Sequence, residues 1–228
     1  MIPVVKGGEP KALTEAKRDI RNTPDAPFNY SSLQGENKRK VLEALVAEQG
    51  HLCAYCMCRI GTDNSPATIE HIIPQHPTSL NPDGGLSLSY KNMLAVCDGR
   101  NGATCDKRRG NRPLTVNPTK PETLASITYQ RDGTIRSINP EIDHDLRDTL
   151  GLNDGRTNLC ANRSEAMRAI EQIVASLIVR KKINDSPSAK RNLCVKILEH
   201  YESQTDMKDE YLGAKLFKAR KLVAKFSA

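Results

Sequence analysis

The stretch that decides the fold reads Cys53-Ala54-Tyr55-Cys56, then Ile69-Glu70-His71-Ile72-Ile73-Pro74, then Asn92-Met93-Leu94-Ala95-Val96-Cys97, and finally Cys105-Asp106. Two pairs of cysteines therefore enclose an acid–histidine pair and an asparagine. Across residues 51–118, glycines and prolines replace helical periodicity. This composition is typical of a segment whose fold is held together by metal ligands instead of a large apolar core.

The two cysteine pairs have the chemistry of a structural zinc site. Cys53 and Cys56 have the spacing of a zinc knuckle, whereas Cys97 and Cys105 are farther apart and are bridged by a glycine-containing loop. Four thiolates suit the tetrahedral coordination of Zn²⁺, so the sequence predicts that zinc joins these remote segments. Cys58 competes with Cys56 as a ligand. Buried free thiols and a redox Cys-x-x-Cys motif are the alternatives.

The composition fits a globular protein with a polyanionic partner. A chain of 228 residues can bury a core, and its net charge of +7 suits nucleic acid. The first residues lack the apolar core of a signal peptide, and no run approaches the roughly 20 apolar residues of a membrane span. We therefore expect a cytoplasmic protein without a membrane partner. There, the odd number of cysteines, seven, indicates thiols or metal ligands rather than disulfides.

The remainder of the chain is predicted to be mainly helical. Apolar residues at helical spacing predict helices over 11–21, 36–49, 167–178, 193–201 and 211–223, with a break at Asn184–Ser188. Asp132-Gly133 predicts a hairpin turn within residues 125–138. The predicted regions are an N-terminal segment with a helix (1–50), a zinc-supported core (51–118), a β-hairpin and connector (119–158) and a helical C-terminal region (159–228).

Glu70 and His71 supply groups that phosphodiester hydrolysis needs. Neighbouring side chains of a flat strand point to opposite faces, but these two can converge where the strand ends before Pro74. A histidine with a pKa near ~6.5 is the natural base at neutral pH. Glu70 and Asp106 have carboxylates, the ligands that divalent cations prefer. They could therefore bind a metal ion that stabilises charge on the phosphate. Asn92 is predicted to accept the second N–H of the imidazole and so to select its tautomer.

These motifs resemble the HNH endonucleases, and more closely the PtuB family, the HNH component of Septu-type and some retron-linked antiphage systems. The resemblance rests on the runs quoted above and on Cys105-Asp106-Lys107-Arg108-Arg109-Gly110-Asn111 and Asn117-Pro118. It is specific over residues 51–118 and weaker over most of the chain. It implies an α+β fold with a treble-clef-like ββα-metal nuclease core and a structural zinc. An N-terminal helical segment and a C-terminal helical region would flank this core.

The resemblance also implies roles and partners. His71 would be the general base, Glu70 and Asp106 would hold catalytic Mg²⁺ or Mn²⁺, and Asn92 would orient the base. Many HNH proteins carry histidine or asparagine where this chain has Asp106. The implied activity is metal-dependent hydrolysis of nucleic acid, either DNA or RNA including transfer RNA. The implied setting is a bacterial antiphage defence complex with a PtuA-type ATPase, in some systems together with a retron.

Basic residues directly after Asp106 are predicted to contact the phosphate backbone. They are Lys107, Arg108, Arg109 and Arg112. A solvated helix face is the alternative, and Arg108 and Arg109 cannot both point the same way. The second class of function is a noncatalytic zinc-binding module that docks nucleic acid or protein. Binding alone requires neither a base nor paired carboxylates, so the complete set of site residues favours the enzyme.

Overall fold

The computed structural model describes residues 1–61, 65–75, 85–180 and 186–227, and helices dominate these ranges. The helices are α1 (Lys11–Asn22), α2 (Gly35–Glu48), α3 (Cys105–Arg109), α4 (Pro121–Leu124), α5 (Pro140–His144), α6 (Leu159–Arg180), α7 (Pro187–Glu202) and α8 (Leu212–Lys225). The strands are β1 (Ala67–His71), β2 (Met93–Cys97), β3 (Ile127–Tyr129) and β4 (Ile135–Ser137), in two antiparallel pairs. The predicted mixture of helices with small sheets is confirmed.

The β1–β2 pair lies at the centre of the cysteine-containing region. Glu70 is opposite Leu94 and His71 is opposite Met93, so the acid–histidine pair closes the strand, as its sequence predicts. Every residue of β2 is buried, and α2 and α3 both pack against it. The Gln49 side chain fastens the end of α2 to this strand. Its amide accepts from the Ala95 N–H at 2.8 Å and donates to the Ala95 carbonyl at 2.7 Å.

The N-terminal helices and the hairpin have the predicted positions. In α1 the buried face includes Leu13 and Ile20, and in α2 it includes Val41 and Leu45. These positions are three, four or seven residues apart, which places them on one side of a helix. The hairpin prediction is confirmed by β3 and β4, which flank the turn at Asp132-Gly133.

The C-terminal region consists of three packed helices, as predicted. Helix α8 contacts both α6 and α7, and the apolar stripes of all three helices lie in the interface. Two backbone hydrogen bonds join this region to the turn after α2 and to the first cysteine segment: the Lys208 N–H donates to the Gly50 carbonyl, and the Tyr211 N–H donates to the Met57 carbonyl. Most of the predicted break at Asn184–Ser188 lies outside the described residues. Among the helices of the described ranges, none combines the length and apolarity needed to cross a membrane.

The connector predicted after the hairpin is a packed element. It forms α5 and a further helical turn, Asp145–Thr149, and buries Leu146, Leu150 and Leu152 completely. The Asp145 carboxylate accepts two backbone N–H groups, from residues 115 and 116, at 2.6 and 2.9 Å. The connector therefore supports the chain directly after α3. Its apolar residues are too few to give a helical pattern that is recognisable in sequence.

The hairpin turn provides a test of the packing between β3–β4 and α6. Gly133 has a φ of +82°, and a Cβ added there would lie 1.9 Å from the Cys160 carbonyl oxygen. We expect Gly133→Ala to lower the free energy of unfolding by roughly 2–3 kcal/mol, measured by urea denaturation. Gly155→Ala is the matched control, because its added Cβ meets nothing within 4 Å. Equal denaturation midpoints for the two variants would contradict this packing.

Candidate zinc and catalytic site

Four cysteines from three separate segments come together in the structure. The thiols of Cys53, Cys56, Cys97 and Cys105 all lie within 4.8 Å of one another, and all four residues are buried. The Sγ–Sγ distance is 3.8 Å for both the Cys53–Cys105 and the Cys56–Cys97 pairs. A tetrahedral zinc site with Zn–S bonds of about 2.3 Å requires ligand sulfurs roughly 3.8 Å apart. These four cysteines could therefore bind a structural metal such as zinc.

The wide spacing between Cys97 and Cys105 is accommodated by an unusual loop. Four consecutive residues, Gly99 to Gly102, have positive φ angles between 47° and 79°. This left-handed run turns the chain back, so that Cys105, which itself has a φ of 54°, returns beside Cys97. Hydrogen bonding with the neighbouring thiols, first of all Cys105, lowers the pKa of Cys97 to about 5. The loop thus brings the thiols of Cys97 and Cys105 into the cluster.

The rival ligand, Cys58, lies beside the four-thiol cluster but does not share its geometry. Its Sγ is 3.2 Å from that of Cys56, which is shorter than the separation of two sulfurs on one tetrahedral zinc. Cys58 instead closes the knuckle turn, where its carbonyl accepts the N–H of Cys53 at 2.9 Å. The geometry favours Cys56 over Cys58 as the ligand.

His71 is held in one tautomer by the main chain. Its Nε2 lies 2.8 Å from the Ser87 carbonyl oxygen, which can only accept a hydrogen bond. Nε2 must therefore carry the proton, which leaves the Nδ1 lone pair available as a base. Burial lowers the pKa of His71 from its ordinary value of 6.5, despite the opposing hydrogen bond to Ser87. The imidazole is consequently neutral at pH 7.

Asn92 does not orient the imidazole directly, which corrects the prediction from sequence. Its side-chain oxygen accepts the N–H of Ile73 at 2.8 Å, and its amide nitrogen donates to the carbonyls of Ile73 at 2.9 Å and Leu86 at 3.2 Å. Asn92 precedes β2, opposite the end of β1, so its amide meets the backbone that leaves His71. It therefore connects the two chain segments between which the imidazole lies.

Glu70 is a buried carboxylate with three close neighbours. Its Oε1 accepts from the Tyr55 hydroxyl at 3.1 Å and from the Arg109 guanidinium. Burial raises the pKa of Glu70 to about 7. Arg109 opposes this rise, whereas Asp106 adds to it through its charge and a hydrogen bond. Asp106 thus disfavours the ionisation of Glu70, and a divalent cation bound between the two carboxyl groups would offset that repulsion, so the donor set fits Mg²⁺ or Mn²⁺.

Arg109 belongs to the interior of the site, contrary to its predicted contact with phosphate. Only 2% of its surface is exposed. Its guanidinium donates to Glu70, to the Tyr55 hydroxyl and to the carbonyls of residues 71, 72 and 112. A guanidinium has five donors in a rigid fork, which suits this convergence of oxygens. Arg109 neutralises Glu70 and braces the end of β1.

Arg108 and Arg112 also have structural partners in place of the predicted phosphate. Arg108 donates to Asp154 at 2.7 Å and to the Asp148 carbonyl at 3.0 Å. Arg112 donates to backbone carbonyls, including that of Thr149 at 3.1 Å. Arg108 therefore fastens α3 to the packed connector, and Arg112 fastens the segment directly after α3 to it. Lys107 is exposed, and among the described residues its ammonium group has no hydrogen bond or ion pair, so it stays a candidate for contact with phosphate.

Substitutions at Arg109 and Lys107 distinguish the two kinds of basic residue. We expect Arg109→Met to lower the free energy of unfolding by about 3 kcal/mol, because it leaves a buried carboxylate without its partner. Lys107→Gln should change stability by less than about 0.5 kcal/mol. Thermal unfolding of both variants measures the difference. Equal stability of the two proteins would refute the buried role of Arg109.

Comparison with known proteins supports a nuclease of the HNH class. The chain is 27% identical over 182 residues to "Retron Vc95 putative HNH endonuclease" of Vibrio cholerae serotype O1 biovar El Tor. The matched region covers 70% of this chain and 84% of that protein. No protein-family model matches the chain. The resemblance of the motifs to HNH endonucleases thus has independent support from a relative across most of the chain.

Sequence reasoning missed several residues that shape the site. Ser87 acts through its carbonyl, a group that every residue has, so no side-chain pattern could identify it. Tyr55 lies inside the first cysteine pair, but its hydrogen bond to Glu70 depends on the fold. Tyr30 belongs to the N-terminal segment, yet its ring lies edge-on to His71 with centroids 4.7 Å apart.

Proposed function

We propose that this chain is a metal-dependent HNH endonuclease that hydrolyses phosphodiester bonds of nucleic acid. The observation that carries the proposal is the His71 imidazole, whose Nε2 proton is committed to the Ser87 carbonyl, together with the Asp106 carboxylate, whose charge acts on both His71 and Glu70. A noncatalytic module requires neither a tautomerically selected base nor two neighbouring acids. The relative named as an HNH endonuclease supports the same class.

Each residue of the site has a separate role in the proposed hydrolysis. Nδ1 of His71 accepts a proton from the attacking water, while Nε2 keeps its proton on the Ser87 carbonyl. Glu70 and Asp106 would hold the divalent ion, which when bound supplies charge stabilisation for the phosphate and the leaving oxygen. Tyr55 and Arg109 hold Glu70 in one orientation and balance its charge in the buried site. Burial keeps the imidazole neutral and ready to accept the proton.

The zinc assigned to Cys53, Cys56, Cys97 and Cys105 would serve the catalytic residues through the backbone. Cys97 ends β2, and Cys105 begins α3 one residue before Asp106. A zinc ion that binds both cysteines would hold the carboxylate of Asp106 in register with the β1–β2 pair. The structural and the catalytic ions would therefore have separate ligands and separate roles.

The biological setting in this proposal is antiphage defence. The relative is named for a retron, and the motifs resemble the PtuB family. We propose that the chain is the effector subunit of a bacterial defence complex with a PtuA-type ATPase. The positive net charge and the exposed Lys107 favour a nucleic-acid substrate, either DNA or RNA.

Cleavage assays test this function directly. The purified chain, alone and with its co-purifying ATPase, is incubated with DNA and RNA panels, with and without added Mg²⁺ or Mn²⁺. We expect endonucleolytic products only when a divalent ion is present. A protein that binds nucleic acid but cleaves no member of the panels under any of these conditions would instead be the zinc-binding docking module.

A further inference from the structure

The N-terminal segment contributes to the catalytic region although it contains none of the cysteine or acid–histidine motifs. Tyr30 lies edge-on to the His71 ring, with an interplanar angle of 80°. Its backbone N–H donates to the Ser87 hydroxyl at 3.2 Å, and the Ser87 carbonyl is the partner of His71. Tyr30 and the imidazole therefore share one support. A change in the position of Tyr30 would therefore alter the position of the His71 imidazole.

Lys38 of α2 lies over the Tyr30 ring. Its Nζ is 4.7 Å from the ring centroid, a distance at which a cation is attracted to the aromatic face. Burial lowers the pKa of His71, and the charge of Lys38 adds to this lowering. Burial raises the pKa of Tyr30, and the charge of Asp106 adds to this rise. Lys38, Tyr30, His71 and Asp106 are therefore close neighbours around one site.

The charge of Lys38 is not neutralised, in contrast to that of its helix neighbours. Arg39 pairs with Glu36 and Glu43, and Lys40 lies 3.6 Å from Glu36. Among the described residues, no carboxylate lies within ion-pairing distance of Lys38. A half-buried ammonium group held on an aromatic ring has lost part of its hydration, and it gains most from an anionic partner.

A groove of about 390 Å³ extends from this lysine along β1. Its walls include Tyr30 and Lys38 on one side and Ala67 and Ile69 on the other. Ala67, Ile69 and His71 alternate along the strand and so share one face. The groove therefore runs along the face of β1 to which His71 belongs, and its wall contains the unpaired charge of Lys38 and the paired guanidinium of Arg39.

We propose that this groove binds the nucleic-acid strand next to the scissile phosphate, with Lys38 contacting a backbone phosphate and Tyr30 positioning both Lys38 and His71. The inference rests on the proposed nuclease function and extends it to the N-terminal segment. Lys38 contributes binding through its charge alone, so it does not read base sequence. The groove accepts a phosphodiester backbone of either DNA or RNA. Binding to DNA and to RNA oligonucleotides, compared below, determines which of the two is preferred.

The test compares Lys38→Gln with Lys40→Gln, which removes the same charge from the same helix outside the groove. Substrate binding is measured by fluorescence anisotropy in the His71→Ala background without added Mg²⁺ or Mn²⁺, on DNA and on RNA oligonucleotides. We expect Lys38→Gln to weaken binding about tenfold and to reduce the salt slope of log K by about 0.7–0.9. Lys40→Gln should change affinity less than about twofold.

Steady-state cleavage by otherwise wild-type proteins completes the test. Lys38→Gln should raise KM and leave kcat nearly unchanged, and Lys38→Arg should restore KM. Tyr30→Leu, which removes the aromatic ring, should raise KM and lower kcat. An unchanged salt slope for Lys38→Gln, or equal effects of Lys38→Gln and Lys40→Gln, overturns the inference. Failure of the nuclease proposal is a separate result, namely equal activity of wild type and His71→Ala.

Discussion

Replacement of His71 by alanine is expected to lower the rate of phosphodiester cleavage by about three orders of magnitude, the range that positioned general bases contribute. The reason is geometric. The hydrogen bond from Nε2 to the Ser87 carbonyl places the lone pair on Nδ1, and the charge of Asp106 acts on the same imidazole. Single-turnover cleavage at saturating Mn²⁺ measures the loss.

Two further variants keep this experiment interpretable. His71→Gln preserves a donor for the Ser87 carbonyl, so it should fold at least as well as His71→Ala while remaining inactive. His200→Ala removes an exposed imidazole from α7 and should leave the rate unchanged. Retention of full activity by either His71 variant, with the divalent ion still required, would assign the base to another group.

The pH dependence of cleavage follows from the same two residues. Burial lowers the pKa of His71 below 6.5, so the base is neutral at pH 7. Protonation of the base should therefore lower the rate only when the pH falls to the pKa of His71. Glu70 has a pKa raised to about 7 by burial, so below pH 7 protons compete with the metal for its carboxylate. The half-saturating Mn²⁺ concentration should therefore rise as pH falls. A pH-independent half-saturating concentration would contradict this account of Glu70.

Removal of a zinc ligand is the second change with a large expected effect. Cys53→Ser should reduce bound zinc from about one ion per chain to near none and lower the free energy of unfolding by about 5 kcal/mol. For a chain of this size, that corresponds to a Tm roughly 15 °C lower. The physical cause is the loss of the link between the knuckle, β2 and α3, because Cys53, Cys97 and Cys105 lie on these three separate segments.

Elemental analysis and thermal unfolding measure this effect, and two other cysteines provide controls. Cys58→Ser should retain zinc, because Cys58 lies outside the four-thiol cluster. Cys194→Ser replaces a cysteine buried in α7, and it should also retain zinc while losing only packing energy. A Cys53→Ser protein with a full complement of zinc and an unchanged Tm would refute the four-cysteine site.

The elements of this fold were largely predictable, because each depends on a local pattern. Residues on the buried face of a helix recur every three or four positions, and this identified α2 and the three C-terminal helices. The turn chemistry of Asp132-Gly133 located the hairpin. The ligand types and the order of Cys53, Glu70, His71 and Cys97 similarly indicated a metal-supported site. Residue type and spacing along the chain were sufficient for these conclusions, since the chemistry belongs to the side chains themselves.

The partners of the site residues were decided by contacts between remote segments. Arg109 is 39 positions from Glu70, and its burial against that carboxylate distinguishes it from the exposed Lys107 two residues earlier. The hydrogen bond of His71 goes to a backbone carbonyl 16 positions away, and the amide of Asn92 meets backbone groups instead of the imidazole. A carbonyl has no residue-type signature, and exposure depends on what packs above a side chain. The hydrogen-bond partner of a side chain and its exposure are therefore known only from the folded chain.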